Sequence, residues 1–259
     1  MRFLVKLITF LSVAELTSMV VCKIAIPNIQ MERNKIEAAL YIVPTPIGNL
    51  EDITLRAINV LQNVDIIACE DTRRCGILVQ NLNLRCVAKF ESYFDYNEET
   101  KSKHLINEIN NGKSVALISD AGTPCISDPG FRIVNMAIEN NIKIIPLPGA
   151  TAFVPALISS GFAVHSFTFL GFPPQKKGRS TFLKNALNMT STIILYESSH
   201  RINKLIQEIA MIDNSRNICV SRELSKVFEE HIRFNTSEFI TGNVKITEKG
   251  EFVIVIEGK

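Results

Sequence analysis

Short apolar runs alternate with amphipathic stretches along the chain from residue 40 onward. Residues 40–44, 64–69 and 115–118 are apolar and partly β-branched, which predicts buried strands. Residues 53–61 carry apolar side chains at helical spacing, and a helix predicted over 98–110 is stopped by the Asn-Gly pair that follows it. This alternation of strand and helix predicts a parallel or mostly parallel sheet with helices packed on it.

The pattern restarts after Gly161 with further strands that are again separated by helical stretches. These strands are predicted at residues 166–172, 193–196, 218–221 and 252–256. We therefore predict an α/β protein with two domains, residues 40–155 and 156–259. Each domain is expected to contain a mixed or mostly parallel sheet flanked by helices.

Residues 1–39 do not share this pattern and are predicted to be an N-terminal extension. The apolar stretch at its start carries Arg2 and Lys6, as a secretory signal would, but Glu15 interrupts it well short of a membrane span. Two interpretations remain, a weak targeting helix and an upstream extension with the functional start nearer Met31. We favour the second, and we expect a cytoplasmic protein without stable membrane association.

Loops rich in glycine, proline and small polar residues follow three of the predicted strands, at residues 45–50, 119–130 and 147–151. In open α/β sheets, ligands bind at the carboxyl ends of the strands. In the second loop, Gly122 can take a positive φ and let a ligand approach the backbone, and Asp120 supplies hydrogen-bond acceptors. The sequence therefore predicts that a small-molecule cofactor binds to this loop.

Composition and missing motifs exclude several classes of protein. The net charge of +2 is too small for bulk attraction to nucleic acid, so any RNA-binding surface must be a local patch. The six cysteines and four histidines show no metal-ligand spacing, and no metal site is expected. Neither a Walker A motif nor a G-x-G-x-x-G motif after the first strand is present, which disfavours P-loop NTPases and ordinary Rossmann dehydrogenases.

Seven sequence blocks together closely resemble the ribosomal RNA small subunit methyltransferase I family. The blocks are residues 41–50, 70–73, 119–130, 146–149, 171–178, 196–201 and 221–226, in order along the chain. The resemblance implies a tetrapyrrole-methylase-like fold of two α/β domains with S-adenosylmethionine in the cleft between them. It also implies 2′-O-methylation of a cytidine in the decoding region of 16S rRNA in the 30S subunit, and a homodimer. Methylation of a small tetrapyrrole or corrinoid, or RNA binding without catalysis, remain alternatives.

Given this resemblance, the loops at the strand ends become candidate cofactor ligands. The residues expected around S-adenosylmethionine are Pro46, Gly48, Asp120, Ala121, Gly122, Thr123, Pro124, Pro148, Gly149, Ala150 and Thr151. For catalysis, Asp71 with Arg73 is the preferred pair and Glu70 the alternative, because a carboxylate base or a cation near the forming alkoxide would assist a ribose hydroxyl. An ion pair that only supports the cleft is an equally good interpretation. Asp128 is expected to cap the next helix.

A compact basic turn next to Phe172 is the candidate RNA contact. Lys176, Lys177 and Arg179 suit phosphate groups, although short charge runs are commonly solvated turns. His200 and Arg201 follow a predicted strand and are expected to orient the RNA; alternatively, His200 caps the helix behind it.

Overall fold

The computed structural model describes residues 35–259, and the structural statements below concern those residues. The predicted extension therefore lies outside the described residues except for residues 35–39. Within the described part of the chain, no helix combines the length and the apolar character that a membrane crossing needs. Nor does that part contain a group of three or more His, Cys, Asp and Glu side chains that could hold a metal ion.

The first half of the described chain builds a parallel five-stranded sheet with the strand order β3-β2-β4-β1-β5. Its strands are β1 (Leu40–Ile42), β2 (Ile66–Cys69), β3 (Lys89–Ser92), β4 (Val115–Leu117) and β5 (Ile144–Pro146). In a parallel sheet all carboxyl ends meet at one edge, so the three loops predicted to bind ligand lie at the same edge.

Helices cover both faces of this sheet, which explains why its strands other than the edge strand β3 are almost continuously apolar. The helices are α1 (Leu55–Asn63), α2 (Thr72–Asn81), α3 (Glu98–Asn110) and α4 (Phe131–Glu139). Alternate residues of β1 point to opposite faces: Tyr41 packs in a core with Leu61 of α1, and Leu40 packs in a core with Leu105 of α3.

The second half builds a mixed five-stranded sheet with the order β6-β7-β10-β8-β9. Its strands are β6 (Phe167–Gly171), β7 (Thr192–Ser198), β8 (Asn217–Arg222), β9 (Glu230–Asn235) and β10 (Glu251–Ile256). Only the β6–β7 pair is parallel among these strands, and the other pairs are antiparallel. Every predicted strand overlaps a strand of the structure, so the predicted succession of elements is confirmed.

Four helices complete this half: α5 (Phe153–Ser160), α6 (Arg179–Leu187), α7 (Ile202–Ile212) and α8 (Thr236–Ile240). Leu183 of α6 and Ile206 of α7 pack in the core on one face of the second sheet. Leu157 of α5 packs with Val253 and Val255 of β10 in a separate core. The domain boundary predicted at residue 155 therefore falls inside α5, a helix that packs on the second sheet; as a domain boundary it stays a prediction.

A close backbone approach fixes the loops after β1 and β5. A methyl group added at Gly149 would lie 2.6 Å from Cβ and 2.9 Å from Cγ of Pro44, whose ring cannot move aside easily. Because β1 and β5 are neighbours in the sheet, this contact holds the two loops together at its carboxyl edge. Close packing against Pro44 therefore explains why a glycine occupies position 149.

We predict that Gly149→Ala lowers the free energy of unfolding by about 1–3 kcal/mol, because the new methyl group would overpack against Pro44. Gly76→Ala is the control: Gly76 lies within α2, and an added methyl group would lie 4.0 Å from its nearest neighbour, in Phe90. That substitution should stabilise the protein by about 0.5–1 kcal/mol. Urea unfolding of both variants measures the difference, and equal effects would contradict the packing argument.

Candidate functional site

A cavity of about 460 Å³ lies at the carboxyl edge of the first sheet and is closed by residues of the second half. From the first half, its lining includes Ile47 after β1, Glu70 and Arg74 after β2, residues 120–123 and 126–128 after β4, and Thr151 and Ala152 after β5. From the second half come Phe172, residues 196–199, Leu224 and residues 250–253. The cavity volume lies in the usual range for small-molecule sites.

The loop after β4 is held in place by a backbone pair with the loop after β1. The N–H of Thr45 donates to the carbonyl of Gly122 at 2.8 Å, and the N–H of Gly122 donates back at 3.0 Å. Gly122 has a φ of 88°, a conformation that glycine adopts without strain. The Thr123 hydroxyl donates to the Ala150 carbonyl at 2.8 Å, so the loop after β5 joins the same assembly.

The predicted cofactor residues divide into those that line the cavity and those that support it. Asp120, Ala121, Gly122, Thr123 and Thr151 belong to the lining. The remaining predicted residues, Pro46, Gly48, Pro124, Pro148, Gly149 and Ala150, lie in the same loops outside the described lining.

Gly48 has a supporting role that the sequence did not reveal. An added methyl group there would lie 2.5 Å from Cγ of Lys226 and 3.0 Å from the carbonyl oxygen of Leu224. Gly48 therefore lets the segment after β8 approach the first half closely enough for Leu224 to line the cavity.

The structure brings Glu70 and Arg74 to the cavity, whereas the preferred pair Asp71 and Arg73 lies outside its described lining. Asp71 caps α2: its Oδ1 accepts a hydrogen bond from the Arg73 N–H at 2.8 Å. The Arg73 side chain is 87% exposed and pairs with Asp71 at 2.7 Å, and this hydrogen bonding lowers the Asp71 pKa to about 2. Arg74, which the sequence reasoning missed, pairs with Asp120 at 2.8 Å. The catalytic roles stay predictions.

Asp128 is not the helix cap that the sequence predicted. Helix α4 begins after Gly130, which has a φ of 143° and makes no side-chain capping bond. Asp128 lines the cavity instead, together with Glu70 and Asp120. Burial raises the Asp128 pKa to about 7, with Glu70 and Asp120 adding to the shift and a hydrogen bond with Ser119 opposing it. Burial also raises the Glu70 pKa.

Among the predicted RNA contacts, Lys176 and Lys177 are exposed but Arg179 is buried. The Arg179 guanidinium pairs with Glu208 at 2.6 Å and with Glu197 at 3.2 Å, and it donates to the Pro174 carbonyl at 3.1 Å. These contacts make Arg179 an anchor of the basic turn, and its direct contact with RNA stays a prediction.

His200 and Arg201 lie in a short 3₁₀ turn at the end of β7. His200 is exposed, and Arg201 pairs with the buried Glu197 at 2.8 Å. Helix α7 begins after Arg201 and has no side-chain cap, so the alternative that His200 caps this helix is wrong. Arg201 is thus held by an ion pair, whereas His200 is exposed at the surface. A role of either residue in orienting the RNA stays a prediction.

Comparisons with known proteins agree with the fold. Residues 39–240 match the family of tetrapyrrole (corrin/porphyrin) methylases. The chain is 44% identical over 223 residues to ribosomal RNA small subunit methyltransferase I of Halalkalibacterium halodurans, covering 86% of this chain and 76% of that protein. The protein of the same name from Hydrogenobaculum sp. is 45% identical over 218 residues, with 84% and 94% covered. The chain belongs to the ribosomal RNA small subunit methyltransferase I family of tetrapyrrole methylases.

Solved structures of tetrapyrrole methylases share the fold at low sequence identity. Uroporphyrin-III C-methyltransferase from Thermus thermophilus, complexed with S-adenosyl homocysteine, superposes with a TM-score of 0.58 at 16% identity, covering 85% of this chain and 97% of that one. The methyltransferase CobJ superposes with a TM-score of 0.64 at 15% identity, with 85% and 94% covered. The predicted fold class is confirmed.

The lining of the methylase cavity fits S-adenosylmethionine, a sulfonium cation that carries a flat aromatic adenine. Glu70, Asp120 and Asp128 share the cavity with Arg74, the one basic side chain among its described lining residues. Burial and repulsion from neighbouring carboxylates disfavour the charged form of Glu70 and of Asp128, and a cationic ligand offsets both effects. The apolar lining side chains Ile47, Ala152, Leu224 and Val253 offer surface to an adenine ring. When bound, the cofactor supplies an electrophilic methyl group on its sulfonium.

The raised pKa of Asp128 makes the stability of the methylase depend on pH. The folded-state pKa of about 7 lies above the ordinary aspartate pKa of 3.8, so the folded protein binds an extra proton between these two pH values. The contribution of Asp128 to stability is therefore present at low pH and lost as the pH rises toward 7.

We predict that Asp128→Asn, which removes this ionisation, stabilises the ligand-free methylase more at pH 8 than at pH 5. The difference should be about 1–2 kcal/mol, after discounting for partial exposure. Urea unfolding at the two pH values measures it. Asp52→Asn, at an exposed turn, is the control and should show no such dependence. The same effect of Asp128→Asn at both pH values would refute the assignment.

Proposed function

We propose that the protein transfers a methyl group from S-adenosylmethionine to the 2′-hydroxyl of a cytidine in 16S rRNA of the small ribosomal subunit. The observation that carries the proposal is the 42–45% identity to relatives named ribosomal RNA small subunit methyltransferase I, among them that of Escherichia coli O157:H7. The matched region covers 84–86% of this chain in these relatives. A ribosomal substrate also implies activity in the cytoplasm, and the homodimer stays a prediction.

Different residues around the cavity would bind the cofactor and hold the reacting groups in position. Asp120 would hold the cationic end of the cofactor, and Asp120 is itself held by its ion pair with Arg74. Fixing donor and acceptor in line removes much of the barrier to methyl transfer. The loops that meet through Thr45 and Gly122 provide this rigidity.

The ribose hydroxyl is a weak nucleophile, and a nearby proton acceptor would assist it. Asp128 suits this role on two grounds: it lines the cavity, and its raised pKa of about 7 makes it a proton acceptor near neutral pH. Glu70 is the second candidate for the same reasons of burial and position. The exposed Asp71–Arg73 pair remains a candidate only if bound RNA brings the ribose to it.

The RNA-binding part of the proposal rests on the basic turn beside the cavity. Lys176 and Lys177 are exposed on the segment that follows Phe172, a lining residue. Phosphate contacts fix the position of an RNA without reading its sequence. With a net charge of only +2, the chain needs such a local patch to attract RNA.

We predict that Asp120→Asn weakens binding of S-adenosylmethionine about 10- to 100-fold, because a charge-assisted contact is lost. Isothermal titration calorimetry measures the affinity, and transfer of tritiated methyl groups to 30S subunits measures activity. Asp52→Asn should leave both unchanged. Normal affinity and activity in Asp120→Asn would contradict the assigned site. Label entering a porphyrinoid but never RNA would overturn the RNA substrate itself.

We predict that Lys176→Ala/Lys177→Ala weakens RNA binding while the affinity for S-adenosylmethionine stays unchanged. Loss of two phosphate contacts should reduce the slope of log affinity against log salt by about 1.4 for single-stranded RNA. Binding of a decoding-region RNA at several salt concentrations gives this slope. Lys184→Ala/Lys245→Ala removes two other exposed lysines and should keep the original slope. An unchanged slope in the first variant would show that the turn is only solvated.

A further inference from the structure

Phe172 is an aromatic side chain at the cavity that the fold leaves half uncovered. It lines the cavity, yet 52% of it is exposed. Large apolar side chains are usually buried, and an exposed ring beside a ligand cavity offers a stacking surface.

The position of Phe172 is fixed from the strand that precedes it. The pairing of β6 with β7 is irregular between Phe169 and Gly171, and Gly171 has a φ of 63°. A methyl group added at Gly171 would lie 3.2 Å from the Ser127 hydroxyl oxygen, so β6 ends against the loop after β4. This close approach brings the next residue, Phe172, to the cavity.

The ring itself is supported on one side. Phe172 and Tyr196 make an edge contact, with ring centroids 5.6 Å apart and planes at 65°. Tyr196 is packed in turn against Phe169, at 4.9 Å and 69°. Such contacts restrict the orientation of the Phe172 ring while leaving half of its surface free.

The segment is also anchored at its other end and carries positive charge between the anchors. Arg179 holds the Pro174 carbonyl and pairs with the buried Glu197, which neighbours Tyr196 in β7. Lys176 and Lys177 are exposed between Phe172 and Arg179. A rigid aromatic ring next to exposed lysines is the combination that binds single-stranded RNA, in which unstacked bases pack on aromatic rings and phosphates contact basic groups.

We propose that Phe172 stacks against an unpaired base of the RNA substrate while Lys176 and Lys177 contact the adjacent phosphates. This inference rests on the proposed function and deepens it, because it requires the substrate to present an unstacked base at the cavity. Phe172 is thereby a binding residue for RNA and not part of the wall that holds adenine. The more enclosed apolar residues Leu224 and Val253 serve that wall.

The test compares Phe172→Leu and Phe172→Tyr with the matched control Phe167→Leu. Phe167 is the first residue of β6, the strand that precedes Phe172; it is 44% exposed and is absent from the described lining of the cavity. The probes are a fluorescent single-stranded oligoribonucleotide with the decoding-region sequence and versions of it with an abasic site at each position in turn. Thermal melting checks that each variant is folded.

We expect Phe172→Leu to weaken binding of the intact oligoribonucleotide about 5- to 150-fold, the range for loss of one stacked base. Phe172→Tyr keeps an aromatic ring and should bind the oligoribonucleotide as the unaltered protein does. Phe167→Leu should also bind it with unaltered affinity. At one abasic position, Phe172→Leu should cause no further loss, because the stacked base is already missing. The affinity for S-adenosylmethionine should stay unchanged.

Three results would overturn the inference. Loss of S-adenosylmethionine affinity in Phe172→Leu would make the ring part of the cofactor wall. Equal RNA binding by Phe172→Leu and Phe167→Leu, with methylation by the unaltered protein intact, would reject stacking but keep the proposed function. Absence of both RNA binding and RNA methylation in the unaltered protein would reject the proposed function along with the inference.

Discussion

The backbone pair between Thr45 and Gly122 is the constraint on which the rest of the site depends. These two hydrogen bonds tie together the loops after β1 and β4, which are adjacent strands of the first sheet. A loop with many turn-forming residues would otherwise have large conformational freedom, and ordering it at the moment of binding would cost affinity. With the pair in place, Asp120 and Asp128 are held at the cavity before any ligand arrives.

The second half of the chain closes the cavity through close contacts that depend on glycine. Gly48 admits the segment that carries Leu224 and Lys226, and Gly171 lies against Ser127. Both contacts join one half of the described chain to loops of the other. A side chain at either glycine would push the halves apart, so the size of the cavity is set by backbone approach as much as by the side chains that line it.

The sequence predicted the strands and the ligand-binding loops because their signals are local. Apolar runs and clusters of turn-forming residues can be recognised within a few positions, and the parallel arrangement then brings the loops to one edge. It did not predict the destinations of charged side chains, which depend on residues far along the chain. Arg179 looked like part of a basic patch, but its partners Glu197 and Glu208 come later in the sequence.

The residues around the end of β2 illustrate the same limit. Glu70 and Asp71 are adjacent acids, and Arg73 and Arg74 are adjacent bases, so composition alone does not separate them. The start of α2 separates them. Asp71 caps this helix and is bonded to Arg73, so Glu70 and Arg74 are the residues left at the cavity. A helix that the sequence patterns did not single out therefore decided which pair faces the ligand.

The distribution of charge separates the two substrates that a methyltransferase of this kind must bind. The carboxyl groups inside the cavity favour a cation, whereas Lys176 and Lys177 outside it favour a polyanion. Averaged over the chain these charges nearly cancel, which is why the net charge of +2 carries so little information. Transfer of the methyl group removes the positive charge of the sulfonium, so the acidic lining that favours the cofactor holds the demethylated product less strongly. The same carboxyl groups can therefore promote binding before the reaction and release after it.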